Sequence, residues 1–364
     1  MIIRTNTALL TAASGIDTAG NGWLRLTDTN TYLAGYALYT NAIPSTNSSI
    51  FVSLDMAIWS RYGGSSADGL VLFFYDASVP FKLGASGGSL GYAQKTGVAG
   101  MGGGYLGLGV DEFGNYSNPN EGRIGGPGAI GNAIAVRGPG SGVSGYRYIA
   151  GTGDGITPRL ATRFYFPNDV VRPTGSTNAQ HLEVLLSPNN QLTVHLRQGT
   201  NAQFLCFVAD LSTYTRPSNL RLGFTAGTGG NAAFHELQNV FINATVGIPW
   251  DNDAGDSLWG TAGNWHPDGV PVAGSEIAFD NTYVHSAQTI DLGGTTRTVR
   301  GLSFDADFPY ALNNGTLSFS TAAEPAGQLA ISRSGVNGTA LATIAANLLI
   351  DFALVPFSVN MLGR

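Results

Sequence analysis

The sequence predicts an all-β protein, on three observations. Gly supplies 51 of the 364 residues, about twice its usual share, and charged residues only 12%. Short apolar runs rich in Val, Phe, Tyr and Thr recur between Gly, Asn, Pro and Ser turns. They include Ile50–Ile58, Gly69–Tyr75, Tyr105–Val110, His181–Leu186, Leu192–Leu196 and Leu220–Phe224. Finally, no long stretch keeps a helical period with caps. Many short strands with turn signals of this kind build a sandwich or a barrel.

Composition narrows the function classes. The chain is 43% hydrophobic, enough to build a core. The net charge is −6 and no Lys/Arg cluster stands out, which argues against a nucleic-acid partner. No apolar run reaches the roughly 18 residues of a membrane-spanning helix. Cys206 is the only cysteine, so an internal disulfide is excluded, and Phe204–Val208 around it reads as a buried strand. The apolar stretch Ala8–Ala13 after Arg4 is too short for a secretory signal. The five histidines show no metal spacing, which argues against zinc.

Two regions are expected, 1–247 and 248–364, with the boundary near Gly247–Pro249. Within the first, Gly84–Gly155 is dense in Gly and carries aromatic and carboxylate residues on long loops, as ordered functional loops do. After the boundary, Trp250, Trp259 and Trp265 precede Gly274–Asp280, Thr289–Leu292, Thr298–Phe304 and Thr316–Phe319. Short strands at even spacing, separated by Gly, Asn and Asp turns, are the rhythm of a solenoid.

The chemistry concentrates in Leu106–Glu121, a strand running into a loop loaded with oxygen donors. Calcium takes about six to eight oxygens from carboxylates, amides, backbone carbonyls and water. Asp111 and Asn115 are four apart with the Phe113 carbonyl between them, so one loop can fold three oxygens around an ion. Glu121 or Asn120 is the candidate fourth ligand. The alternative is an Asn- and Asp-rich turn without metal.

The order Asp111, Phe113, Asn115 resembles the calcium loop of the legume-type (L-type) lectins, in a form similar to bacterial members. The resemblance implies that Asp111 and Asn115 bind calcium, that Phe113 gives its carbonyl, and that Asn115 also bonds sugar. Ser66–Tyr75 resembles the family's Ala-Asp-Gly strand, which makes Asp68 an acceptor for sugar hydroxyls after a cis peptide bond. Gly87–Tyr92 resembles the family's Gly-rich loop, whose amides at Gly87 and Gly88 reach the sugar. Leu222–Gly229 and then His235 resemble the strand and loop that wall the pocket, placing Gly229 and Gly230 there. Plant members bind a transition metal through a Glu where this chain has Gly109, so that second metal is not expected. The matches run in family order over about residues 5–246. They imply a concanavalin-like jelly-roll β-sandwich. Residues from Trp250 onward resemble the β-solenoid repeats of bacterial autotransporter-type surface proteins.

The expected function is calcium-dependent glycan binding by a secreted or cell-surface adhesin-like protein, without enzymatic activity. Multivalent display or self-association would raise the avidity of a shallow site. A structural surface module without sugar binding is the alternative. A glycoside hydrolase is disfavoured, because Gly109 and Asn115 stand where related hydrolases carry carboxylates, and adjacent Asp111 and Glu112 point to opposite faces of a strand.

Overall fold

The computed structural model describes the chain outside residues 1, 6, 46–47, 61–65, 162, 165–169, 174–179, 188–189, 267, 274, 281–282, 307, 320–327, 333–341, 351–357 and 363–364. Gly274, read as the start of a strand, lies outside the described residues. The regular elements among the rest are strands and two short 3-10 turns. The chain divides into two compact units. The first comprises Met1–Thr46, Phe51–Leu186 and Asn190–Asn243, and the second Asn47–Ile50, Ser187–Asn189 and Ala244–Arg364.

The first unit is a sandwich of two large sheets. The front sheet runs Ile2–Thr5, Ala34–Tyr39, Asn219–Gly227, Gly69–Asp76, Gly104–Asp111, Ala133–Arg137 and Tyr148–Gly151. The back sheet runs Phe204–Asp210, Gln191–Gln198, Gln180–Leu186, Ser48–Trp59, Phe234–Val246, Leu24–Thr27 and Leu9–Leu10. Neighbours come from distant parts of the chain, so the sheets rest on long-range pairing.

Side-chain alternation sets which face is buried. Along Gln180–Leu186, Leu182, Val184 and Leu186 are fully buried while His181 and Glu183 stay half-buried on the other face. Cys206 is buried and burial pushes its thiol up to about 12, but Phe204 and Val208 are exposed, so this edge strand buries one face and is not the fully buried strand its apolar run suggests.

His181 ties three back-sheet strands together. Its Nδ1 lies 2.7 Å from Asp55 Oδ1 and its Nε2 3.3 Å from Glu183 Oε1, while Asn239 donates to Asp55 Oδ2 at 2.8 Å. The hydrogen bonds to Asp55 and then Glu183 raise His181 to about 9, against burial. A raised histidine stabilises the fold fully below its unfolded value near 6.5 and loses that contribution as pH rises through about 9. The stability advantage of wild type over His181→Asn should therefore shrink by about 1 kcal/mol between pH 7 and 10. A difference in urea midpoints that stays constant over that range contradicts this account.

The second unit changes pairing from antiparallel to parallel. One sheet contains Ile248–Pro249, Ser275–Asp280, Thr296–Asp305, Thr316–Phe319, Gln328–Ser332, Asn347–Ile350 and Ser358–Leu362. A second contains Gln288–Asp291, Tyr310–Asn313 and Ala342–Ile344. Register aligns Ile277 with Leu302 and Phe279 with Phe304, whose rings stack at 5.0 Å. Trp250, Trp259 and Trp265 are buried together at one part of this core. The Trp265 ring lies 4.9 Å from Trp250 and 4.7 Å from Trp259, and its indole N–H donates to the Trp259 carbonyl at 2.8 Å.

Candidate functional site

Antiparallel register assembles the site. Gly227 pairs with Gly69, and Gly69 with Asp111, so three front-sheet strands turn at one level. The turn before Gly69 carries Asp68, the loop after Asp111 carries Phe113 and Asn115, and the loop after Gly227 carries Gly229 and Gly230. Gly69 itself has φ +147°, and a Cβ there would lie 2.2 Å from the Val110 carbonyl, so this crossing needs glycine.

Asp68 is held by its backbone from both sides. The Ala67–Asp68 peptide is cis. The Asp68 N–H donates to the Gly227 carbonyl at 2.9 Å, and its carbonyl accepts from Glu112 N–H at 3.1 Å. The residue is 5% exposed, and its Oδ2 is buried with no hydrogen-bond partner among the described residues. Burial, offset in part by His235 and reinforced by Glu112, raises Asp68 to about 6. A buried carboxylate oxygen without a donor costs about 1–3 kcal/mol or more and is a defect unless a ligand supplies the donor.

The predicted glycines crowd this carboxylate. A Cβ at Gly87 would lie 3.9 Å from Asp68 Oδ2, and one at Gly229 only 2.9 Å. A Cβ at Gly88 would lie 2.2 Å from the Asn115 Cβ. Gly87–Ser89 form a 3-10 turn that brings these two glycines against Asp68 and Asn115 respectively. Asp68, Gly87, Gly88, Asn115 and Gly229 are thus brought together. Gly230 sits one step outward, where a Cβ would be 4.0 Å from the Tyr32 hydroxyl.

Asp111 is fully buried. Its Oδ1 and Oδ2 accept the N–H groups of Gly114 and Tyr116, each at 2.7 Å, which folds the loop back over the carboxylate. Burial, opposed by those two bonds, raises Asp111 to about 7, and neighbouring Asp68 and Glu112 add repulsion. Among the described residues no cationic side chain forms an ion pair with Asp68 or Asp111. Nor does any group of three His, Cys, Asp or Glu side chains converge as a metal cluster. The donors on offer are one carboxylate, one amide and one carbonyl, all oxygen, next to a second carboxylate. That set fits a hard cation such as calcium and does not fit zinc.

Glu121 is already engaged by cations. It pairs with Arg123 at 3.0 Å and with Lys95 at 3.8 Å, and Asn120 also accepts from Arg123. Both candidate fourth ligands therefore face a guanidinium. Phe113 is 51% exposed, with its ring beside the site in solvent. His235 lies beneath the site: it is fully buried, 2.6 Å from the Thr27 hydroxyl and 2.5 Å from Glu112 Oε1. Ser66 completes this chain on Glu112. Glu112 and His235 thus brace the Asp68 turn from below.

Tyr32 carries no motif, yet it is 81% exposed at the pocket edge. Its N–H donates to the Gly229 carbonyl at 3.1 Å, with φ at +58°. Thr228 Oγ1 clamps the same loop, donating to the Asn30 carbonyl at 2.8 Å and accepting from Leu33 N–H at 2.9 Å. The only local signal is the Asp28 turn, which accepts from Asn30 N–H at 2.8 Å. An aromatic ring held outward by its own backbone beside a polar pocket can stack on an apolar ligand face.

The sequence matches no protein-family model and no curated protein. Among solved structures, 67% of the chain is similar to lectin I-B4 from Griffonia simplicifolia in its metal-free form, at 18% identity, over 92% of that chain and with a TM-score of 0.45. The same share is similar to a Lotus tetragonolobus seed lectin isoform, at 15% identity, over 93% of that chain and with a TM-score of 0.47. It is likewise similar to lectin II from Ulex europaeus, at 16% identity, over 92% of that chain and with a TM-score of 0.44.

Proposed function

We propose that the first unit is a calcium-dependent glycan-binding module of a secreted or cell-surface protein, and that it performs no catalysis. The observation that carries this reading is the orphaned Asp68 Oδ2, buried between Gly87 and Gly229, with the adjacent Gly88 packed on Asn115. A sugar hydroxyl is a neutral donor of the size such a glycine-walled cleft admits. Asp68 accepts hydroxyl protons, the amides at Gly87 and Gly88 donate, and Asn115 can do either. Asp111, the Phe113 carbonyl and Asn115 would hold the calcium ion, whose charge would offset the buried Asp111 carboxylate and keep Asn115 in place. The parallel second unit is read as a β-solenoid segment of a surface protein.

The test is a glycan array probed with the protein in calcium and in chelator. Binding to a defined set of glycans, lost in chelator and restored by calcium, is the expected result. Binding that ignores the chelator contradicts the calcium role. Tyr32→Ala should weaken the best array ligand by about 5- to 10-fold, the worth of one aromatic contact, whereas Tyr32→Phe stays close to wild type. Equal affinities for wild type and Tyr32→Ala remove Tyr32 from the site.

One observation favours a second reading. Asn120 and Glu121 are both engaged by Arg123, as in a loop that needs no ion. On that reading the unit is a structural or protein-binding module, and the array shows no glycan in either condition.

A further inference from the structure

The loop that presents Asn115 is pinned from inside by an arginine. Arg137, at the end of strand Ala133–Arg137, is fully buried beneath it. Its Nε donates to the Tyr116 carbonyl at 2.7 Å, and its Nη1 to the carbonyls of Ile124 and Tyr146, each at 2.9 Å. Nη2 reaches the Asn118 and Gly125 carbonyls at 3.4 and 3.5 Å. The guanidinium also lies 5.5 Å from the centre of the Tyr116 ring. Five carbonyls, four of them from the 116–125 loop, therefore converge on one buried cation. A second buried guanidinium adds to this, since Arg123 donates to Asn118 O at 3.2 Å and to Ser89 Oγ at 2.9 Å, joining this loop to the Gly87–Ser89 turn.

The same residues fill the space a second metal would need. The Tyr116 ring covers Gly109 so closely that a Cβ there would lie 2.5 Å from a ring carbon. The Tyr116 hydroxyl donates to the Gly107 carbonyl at 3.1 Å, which locks the ring in place. No ligand side chain fits at position 109 without expelling the ring, so a transition-metal site does not fit this chain.

We propose that Arg137 is a built-in cation that organises the 116–125 loop from within, making it the positioning residue for Asn115. A guanidinium suits the task because its five N–H donors lie in a fixed fork and it keeps its charge when buried. Burial lowers Arg137 only to about 10, so it is charged at neutral pH. The consequence is a loop that keeps its shape without metal, with calcium adding the final alignment of Asn115. The positioning role rests on the proposed sugar site, but the clamp itself is measurable without any sugar.

The experiment has two arms. Hydrogen exchange of the full chain in chelator should leave the Tyr116, Asn118 and Arg123 amides within about tenfold of their rates in calcium, and exchange there at least a hundredfold faster overturns the proposal. Metal titration should give one calcium and no manganese per wild-type chain, with calcium bound at least tenfold more weakly by Arg137→Met and an intermediate affinity for Arg137→Lys. A bound manganese ion, or equal calcium affinity in a folded Arg137→Met, overturns it. A wild type that takes no calcium refutes the proposed function instead, and exchange in chelator compared between wild type and Arg137→Met then decides the clamp: the Tyr116, Asn118 and Arg123 amides should exchange at least tenfold faster in the variant, and equal rates overturn the proposal.

Discussion

Replacing Asp68 with Asn should abolish glycan binding while leaving the sandwich folded and, in chelator, more stable. The two effects have one cause. Asp68 Oδ2 is buried without a donor, and burial holds the carboxyl at about 6, above its ordinary 3.8. A carboxyl raised in the folded state subtracts stability as pH climbs past its unfolded value, because the unfolded chain ionises first. At pH 7 that subtraction is at most about 3 kcal/mol, from 1.36 kcal/mol per unit. Asn removes the charge and keeps the shape, so a gain of about 1–2 kcal/mol is expected in chelator. Binding moves the other way. The sugar hydroxyls lose a charged acceptor in a dry cleft, a loss of about 2–3 kcal/mol or roughly 100-fold in affinity. Denaturant melts and array binding of the same preparation check both. A variant that binds like wild type removes Asp68 from the site, and one that is destabilised contradicts the strain assigned to the orphaned oxygen.

The largest expected stability effect lies in the second unit, at Trp265→Ala. Trp265 is fully buried between Trp250 and Trp259, with Phe279 behind it at 6.3 Å. Removing a buried indole leaves a cavity and strips the Trp259 carbonyl of its donor, together costing about 3–5 kcal/mol. For a unit of this size such a loss lowers its melting transition by roughly 10–20 °C. Trp265→Phe keeps most of the volume and should cost less than half as much. Calorimetry in which no transition moves in Trp265→Ala contradicts the assignment of these three rings as the organising core of the parallel sheets.

Much of this architecture was legible locally. Alternation along His181–Leu186 shows which face is buried, and the apolar pairs in Ile277–Phe279 and Leu302–Phe304 share a spacing that the parallel register brings into line. Asp68, Gly87, Gly88, Asp111 and Asn115 each sit in a short motif that resembles a known family's, and it is that resemblance, not composition or periodicity, that marks them as candidates. Other contacts act across the chain. Arg137 closes on carbonyls up to 21 positions away, His235 braces Glu112 from 123 positions away, and Tyr32 is aimed by Gly229 and Thr228. Pairing of the sheets brings most of these partners together, and no local pattern announces it. Glu121 illustrates the opposite hazard. Read as an oxygen donor, it stands two positions from Arg123, and in the fold the nearer charge engages it.

The central claim is that one calcium ion is held by the Asp111 loop and fixes Asn115 beside the sugar site. A crystal structure of the full chain grown in calcium tests it most directly. The predicted result is an ion about 2.3–2.6 Å from the Asp111 carboxylate, the Phe113 carbonyl and the Asn115 side chain, with water in its remaining positions. A calcium-saturated crystal with no ion among those three residues, and Asp111 still bonded only to the Gly114 and Tyr116 amides, would contradict it.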